Sequence, residues 1–209
     1  MLPAYAELHC ISNFTFLRGA SHPDELIARA AQLGYRAIAL TDECSVSGVV
    51  RAHQAARDNN IQLIIGSEFK LADGPKLVLL ATTLRGYSNL CEVITLARRS
   101  AKKGSYRLSK SDLAHGVEDC LALFVPDTEL SATHLSWFRE TFATVGWLAV
   151  ELLRGPDDAD QLEQLQQLGK QFQLPLVATG DVHMHSRRRK PLQDVLTGVI
   201  VLSMQFVTV

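Results

Sequence analysis

An α/β fold, a closed or nearly closed (β/α) barrel in a single domain, is the architecture this sequence predicts. Short apolar runs recur along the chain and end in Asp, Glu or His, and segments with helical spacing separate them. No glycine-rich phosphate loop follows the first run, which favours a barrel over a doubly wound open sheet. If the runs are parallel strands, their polar ends collect at one rim, where enzymes of this class keep their ligands. A length of 209 residues, with 47% hydrophobic and 21% charged side chains, suits one full-sized core.

The elements follow in order. Glu7-Leu8-His9-Cys10 places an acid and an imidazole near the N-terminus. Ser21 as a capping residue, Pro23 and Asp24 open a helix whose Leu26, Ala30 and Leu33 recur at helical spacing until Gly34. A strand at 37–40 runs into Thr41-Asp42-Glu43, and a helix over about 46–59 delivers the chain to a strand at 61–65 that ends in Gly66-Ser67-Glu68. Next come a strand at 76–81, a helix from Gly86 through Arg99 with the basic turn Lys102-Lys103-Gly104, and a strand at 121–125. A helix around 136–142, a strand at 148–153, a polar helix over about 157–172 and a strand at 174–179 complete the alternation. That last strand leads into Gly180-Asp181-Val182-His183, and a long helix begins at Pro191. Residues 1–197 are expected to form the domain. The apolar, charge-free stretch 198–209 reads either as a terminal strand or as an atypical tail from a truncated or frame-shifted end.

Bulk composition excludes little. The formal net charge of -1 does not mark a nucleic-acid binder, although a local patch remains open. The four cysteines are far apart, without a C-x-x-C pair, and the N-terminal residues do not form a secretory signal, so a reduced, cytoplasmic protein is expected. The late apolar stretch falls short of a membrane span, and no membrane association is expected. Neither a G-x-S-x-G elbow nor a nucleophilic cysteine context is present, which argues against nucleophilic catalysis.

Carboxylates and imidazoles at strand ends are the ligand types of hydrolytic metal sites. His9, Asp42, Glu43, Glu68, Asp181 and His183 supply them. Asp181 and His183 are two residues apart and would point to one side of an extended backbone. A structural reading of that triplet alone is as good as a metal-binding one, and Asp42 would serve equally as a helix cap. The run Arg187-Arg188-Arg189-Lys190 could contact phosphates or form a solvated helix entrance.

Several stretches together resemble the PHP domain (polymerase and histidinol phosphatase), and more closely the N-terminal domain of bacterial C-family DNA polymerases. They are Tyr5 through Pro23, Ala39-Leu40-Thr41-Asp42-Glu43-Cys44, Ile64-Ile65-Gly66-Ser67-Glu68-Phe69, Gly86-Tyr87-Ser88-Asn89-Leu90 and Ala178 through His183. The phrases Leu17-Arg18-Gly19-Ala20-Ser21 and Thr41-Asp42-Glu43-Cys44 look like the error-prone branch of those polymerases, concerned with DNA repair, replication past damage and translesion synthesis. The resemblance implies a distorted (β/α)7 barrel. Metal-competent relatives hold up to three metal ions and hydrolyse phosphoesters, in some polymerases as a 3′-5′ exonuclease. Here it implies a site of His9, Glu43, Glu68, Asp181 and His183, with zinc, manganese or magnesium as the divalent cofactor if that site works. Three positions depart from the family pattern: Ile11 stands where a second histidine is usual, Arg18 replaces an acid, and Lys76 appears where a histidine is common. Glu43 replaces a histidine with a carboxylate. These changes imply a metal-poor domain in which Arg18 and Lys76 pair with Glu68, Asp181 or Glu43. The remainder of a polymerase chain and DNA are the implied partners, and self-association is expected if the partner surface is bare. Polymerase chemistry itself, with its deoxynucleotides and magnesium, belongs to regions outside such a domain.

Overall fold

The computed structural model describes residues 4–126 and 131–206, with side chains described as far as Val199. Seven strands form one sheet in chain order: β1 (Ala6–Glu7), β2 (Ala37–Leu40), β3 (Gln62–Lys70), β4 (Lys76–Ala81), β5 (Cys120–Val125), β6 (Gly146–Glu151) and β7 (Leu176–Thr179). Closure comes just past the strand ends. A parallel bridge joins Cys10 to Val182, the Ile11 N–H donates to the Val182 carbonyl at 2.9 Å, and the Val182 N–H donates to the His9 carbonyl at 2.9 Å. The expected barrel is therefore present, nearly closed, with β1 and β7 sealed by the segments that carry His9 and Asp181.

One strand runs against the expectation of an all-parallel sheet. β4 is antiparallel to both β3 and β5. Only Leu71–Pro75 separates β3 from β4, and a parallel return needs a crossover of a dozen or more residues. The remaining pairs are parallel.

Helices cover the outside. α1 (Pro23–Gln32) buries Leu26, Ile27 and Ala30, and α2 (Val49–Asp58) buries Ala52, Ala55 and Ala56, so the two helices share a core with β2. His22, not Ser21, occupies the N-cap position of α1, where its N–H donates to Glu25 Oε2 at 2.9 Å. Ser21 instead hydrogen-bonds His185, its hydroxyl lying 2.8 Å from Nδ1 and accepting from the backbone N–H at 2.9 Å, which pins the region after β7 against the start of α1. α3 (Leu84–Arg99) begins two residues earlier than its glycine suggested, because Thr83 Oγ1 accepts from the Gly86 N–H at 3.0 Å and caps the helix. α4 (Ala132–Thr141) and α5 (Asp158–Phe172) complete the largest core cluster with Phe69, Phe124, Phe138 and Phe142. α6 (Lys190–Phe206) carries residues 198–206 as helix, so the terminal-strand reading does not hold there; 207–209 lie outside the described residues.

Inside the barrel the alternation of strand residues matters most. Ala39, Val78, Leu80, Leu123, Val125 and Ala149 form an inner apolar cluster. Lys76 precedes Val78 by two on β4, and Glu151 follows Ala149 by two on β6, so both charged residues continue that inner face beyond its apolar layer.

Candidate functional site

At the rim above this layer, His9 is fully buried and its imidazole stands between two carboxylates. Nε2 lies 2.7 Å from Glu68 Oε2, and Nδ1 lies 2.6 Å from Glu151 Oε1. Asp181 Oδ1 is 3.7 Å from the same Nδ1 and 3.0 Å from His183 Nε2. Arg18 forks onto this set from the loop before α1. Its Nη1 donates to Glu68 Oε1 at 2.6 Å and to Glu43 Oε2 at 2.7 Å, while Nη2 reaches Glu68 Oε2 at 3.3 Å. Lys76 Nζ lies 3.9 Å from Glu68 Oε2. Glu43 also accepts from the Tyr106 hydroxyl at 2.8 Å, and Thr179 Oγ1 donates to Glu151 Oε1 at 2.9 Å.

Two buried acids brace the rim without joining the cluster. Asp42 accepts from the Ser12 N–H at 2.7 Å, the Ser12 hydroxyl at 2.8 Å and the Thr15 hydroxyl at 2.7 Å, so it organises the loop that carries Arg18. Glu7 accepts from the Tyr5 hydroxyl, the His9 N–H and the Gly180 N–H at 2.9, 3.0 and 2.9 Å. A Cβ at Gly180 would lie 2.4 Å from Glu7 Oε2, so a side chain there would push that carboxylate from its place. Asp181 adopts φ 43°, a left-handed conformation that Asp tolerates better than most residues. The extended backbone assumed for Asp181-Val182-His183 is therefore not what brings their side chains together.

Among the residues singled out from the sequence, His9, Glu68 and Asp181 each offer a ligand atom, all within 4.8 Å of one another. Glu43 joins them through Arg18, and His183 through Asp181. Ile11 is fully buried, and Arg18 and Lys76 both face Glu68. The Arg187–Arg189 turn and Lys190 lie away from the cluster: Arg189 Nη2 pairs with Glu25 Oε1 at 2.6 Å, and Lys190 pairs with Asp194. Sequence reasoning missed Glu151 and Tyr106. Ala149-Val150-Glu151 is another apolar run ending in an acid, and the extension of that strand to residue 153 hid it. Nothing in the sequence links Tyr106 to Glu43.

The donor chemistry tests whether a divalent ion suits this set. A histidine ligand must offer a free lone pair, yet both nitrogens of His9 face carboxylates. Burial alone would lower the His9 pKa, but the hydrogen bonds to Glu151 and Glu68 outweigh it and push it up to about 9. The ring is then a doubly donating cation at neutral pH. Burial would likewise raise the Glu68 pKa, but the bonds from His9 and Arg18, with the nearby Lys76 charge, hold it at about 2. Asp181 is also held below the ordinary range: burial opposes this, and the hydrogen bond from His183 and the charge of His9 prevail. As arranged, both His9 nitrogens and both Glu68 oxygens are already engaged, so a divalent ion held by His9, Glu68 and Asp181 would have to displace these hydrogen bonds. Arg18, Lys76 and protonated His9 face Glu43, Glu68, Glu151 and Asp181, three positive charges against four negative. No buried side-chain polar atom among the described residues lacks a hydrogen-bond partner, the condition under which a polar network in a core is stable.

This network sets a pH dependence. The raised His9 value contributes stability below its ordinary 6.5, lost as pH rises through about 9; the depressed Glu68 value contributes stability above its ordinary 4.5, lost as pH falls through about 2. Melting temperatures measured across pH should therefore peak between 4.5 and 6.5 and decline on both sides. A flat profile from pH 6 to 9 would show that His9 is not held as a cation.

The PHP domain model matches residues 7–173, and the chain belongs to that family, whose barrel the seven-stranded sheet reproduces. Its curated relatives include the error-prone DNA polymerase of Dechloromonas aromatica (strain RCB), 54% identical over 210 residues, covering 98% of this chain and 20% of that protein. The error-prone DNA polymerase of Pseudomonas aeruginosa is 54% identical over 198 residues, covering 95% of this chain and 19% of the relative. The chain thus spans about a fifth of the length of the curated relatives it matches. Among solved structures, a candidate metal-dependent phosphoesterase from Bifidobacterium adolescentis superposes with a TM-score of 0.65 at 15% identity, over 88% of this chain and 89% of that one. An amidohydrolase from Chromobacterium violaceum gives 0.63 at 16% identity, over 87% and 88%. At such identities these two establish the fold alone. Among the described residues no helix is long and apolar enough to cross a membrane.

Proposed function

We propose that this barrel is the PHP module of an error-prone DNA polymerase, serving damage-tolerant DNA synthesis in the cytoplasm as an architectural domain. Within such an enzyme it packs beside the rest of the polymerase chain and close to DNA, while nucleotide addition belongs to the parts of the relatives beyond this fifth. The observation that carries the reading is Arg18: its guanidinium bridges Glu43 and Glu68 at 2.7 and 2.6 Å, where metal-bearing relatives would need free carboxylates. A fixed cation covalently tied to the chain does the charge balancing that a metal would otherwise do.

Elemental analysis of protein purified without chelator or histidine tag, paired with thermal unfolding with and without EDTA, tests it. The expected result is metal well below one ion per chain and superimposable melting curves. Near-stoichiometric zinc or manganese, with a lower melting temperature in EDTA, would overturn it. Light scattering on the same sample reads out the self-association expected of a module separated from its neighbours.

One observation favours a second reading, a metal-dependent phosphoesterase or 3′-5′ exonuclease using His9, Glu43, Glu68, Asp181 and His183: the ligand atoms of His9, Glu68 and Asp181 lie within 4.8 Å of one another. Under that reading a metal would polarise the phosphoester and activate water. Manganese-stimulated digestion of an end-labelled oligonucleotide, lost in both Asp181→Asn and His183→Ala, would establish it; no turnover with any of the three metals would dismiss it.

A further inference from the structure

A cleft of about 330 Å3, with Glu43 in its lining, opens between the loop carrying Phe14 to Phe16 and the end of α3 with the loop that follows it. One wall carries Phe14 and Phe16, the other Arg98 and Tyr106. Phe16 is 82% exposed and Phe14 37%, and neither belongs to an apolar core cluster. Exposed rings on a loose loop would mean little, but this loop is held hard. Asp42 ties Ser12 and Thr15, the Arg18 and Gly19 N–H groups both donate to the Thr15 carbonyl at 3.1 Å, and Leu17 sits at φ 62°. The turn directs Arg18 into the barrel and leaves Phe16 in solvent.

Arg98 is the cation that lines the facing wall, and the chain around it is rich in positive charge. Between Glu92 and Asp112 the chain has six cations, Arg98, Arg99, Lys102, Lys103, Arg107 and Lys110, and no acid. Lys102, Lys103 and Arg107 are exposed and lie next in the chain to the lining residues Gly104, Ser105 and Tyr106, with Arg107 also interacting with the Asp112 charge. Arg98 is fixed: it donates to the Cys44 and Glu43 carbonyls and lies 5.5 Å from the Tyr106 ring centroid. The one carboxylate lining the cleft, Glu43, is already paired with Arg18. The basic run at 187–190 differs, since two of its four cations are paired with Glu25 and Asp194.

We infer that this cleft binds single-stranded nucleic acid, with bases stacking on Phe16 and Phe14 and phosphates taken by Lys102, Lys103 and Arg107. Preordered aromatic rings with exposed cations on the adjoining loop are the two elements of sequence-tolerant single-strand binding. A duplex hides the base faces such rings need, so it is the poorer ligand. The inference adds a DNA contact to the polymerase reading, yet it rests on the exposed rings and the basic loop and not on the metal state of the cluster. Absence of binding would leave the metal and melting results untouched.

Fluorescence anisotropy with fluorescein-labelled oligothymidylate of about 15 nucleotides, a length matched to single-strand binding sites, and with a duplex of equal length, tests it over a salt series. The single strand should bind more tightly than the duplex. Phe16→Ala should weaken single-strand binding about 5- to 150-fold, the range for one lost stacking contact. Lys102→Ala with Lys103→Ala should lower the salt slope by about 0.7 per lysine, whereas Arg187→Ala with Arg188→Ala should leave affinity within about twofold, as expected of cations outside the contact. Because Phe16 is exposed, the variant's melting temperature should match the wild type. No measurable binding, binding indifferent to Phe16, or binding lost only through Arg187 and Arg188 would overturn the assignment. So would tighter, salt-sensitive binding of polyglutamate, which would mark an acidic protein partner instead.

Discussion

Replacing Arg18 with alanine is expected to destabilise the barrel by about 3–5 kcal/mol, the usual consequence of removing one partner from a buried ion pair. Glu68 is 1% exposed and its carboxylate would lose both guanidinium contacts, at 2.6 and 3.3 Å. Lys76, at 3.9 Å, is too distant to replace them with direct hydrogen bonds. Glu43 would keep Tyr106 and lose its only ion pair among the described residues. Urea unfolding of wild type, Arg18→Ala, Glu68→Gln and the double variant gives the coupling between the two residues. The double variant should recover part of the loss, since a neutral amide no longer needs the cation. Arg18→Lys should recover less than full stability because a point charge cannot bridge two carboxylates as a planar fork does. If Arg18→Ala unfolds within 1 kcal/mol of wild type, a loss no larger than that of an exposed surface pair, the network is not what holds the rim.

Gly19→Ala is the second large effect, with an expected loss of about 3 kcal/mol or more from overpacking. An added Cβ would lie 1.9 Å from the Ser12 carbonyl oxygen and 2.2 Å from its carbon, and these are backbone atoms that cannot rotate aside. The adjoining Asn13 N–H donates to the Ser21 carbonyl at 2.8 Å, so the crossing strands of this loop are tied together at the point of conflict. The displacement would also move Arg18, the preceding residue, off Glu68. Gly198→Ala provides the opposite control: nothing lies within 4 Å of its Cβ position, in the middle of α6. It should be neutral or stabilise by up to about 1 kcal/mol through helix propensity. Denaturation midpoints for the two variants should therefore move in different directions. A Gly19→Ala protein as stable as wild type would mean the loop has room that its close approach denies.

The barrel was legible because its signals are local. Ala37–Leu40, Lys76–Ala81 and Cys120–Val125 are continuous apolar runs, and α1 and α5 repeat their apolar residues at helical spacing. The direction of β4 was legible in principle, from the short Leu71–Pro75 link, but a rule of uniform parallel strands concealed it. Ser21 looked like a cap because its residue type and position suit one, and it was drawn away by His185, 164 residues distant. The helical state of residues 198–206 was not readable from an apolar, β-branched stretch, whose composition suits strand and helix alike.

By itself the sequence determined the family, the order of the elements and the identity of the charged residues at the strand ends, because strand and helix periods and short motifs are properties of neighbouring residues. Only the tertiary structure decided how those charges are used. Both nitrogens of His9 meet carboxylates from β3 and β6, Glu68 meets a guanidinium fifty positions away, and Phe16 is turned outward while Arg18 is turned in. Whether a carboxylate is a free ligand or one side of an ion pair depends on what closure of the barrel brings within 3 Å of it, and that distance is set by packing between segments remote in the chain.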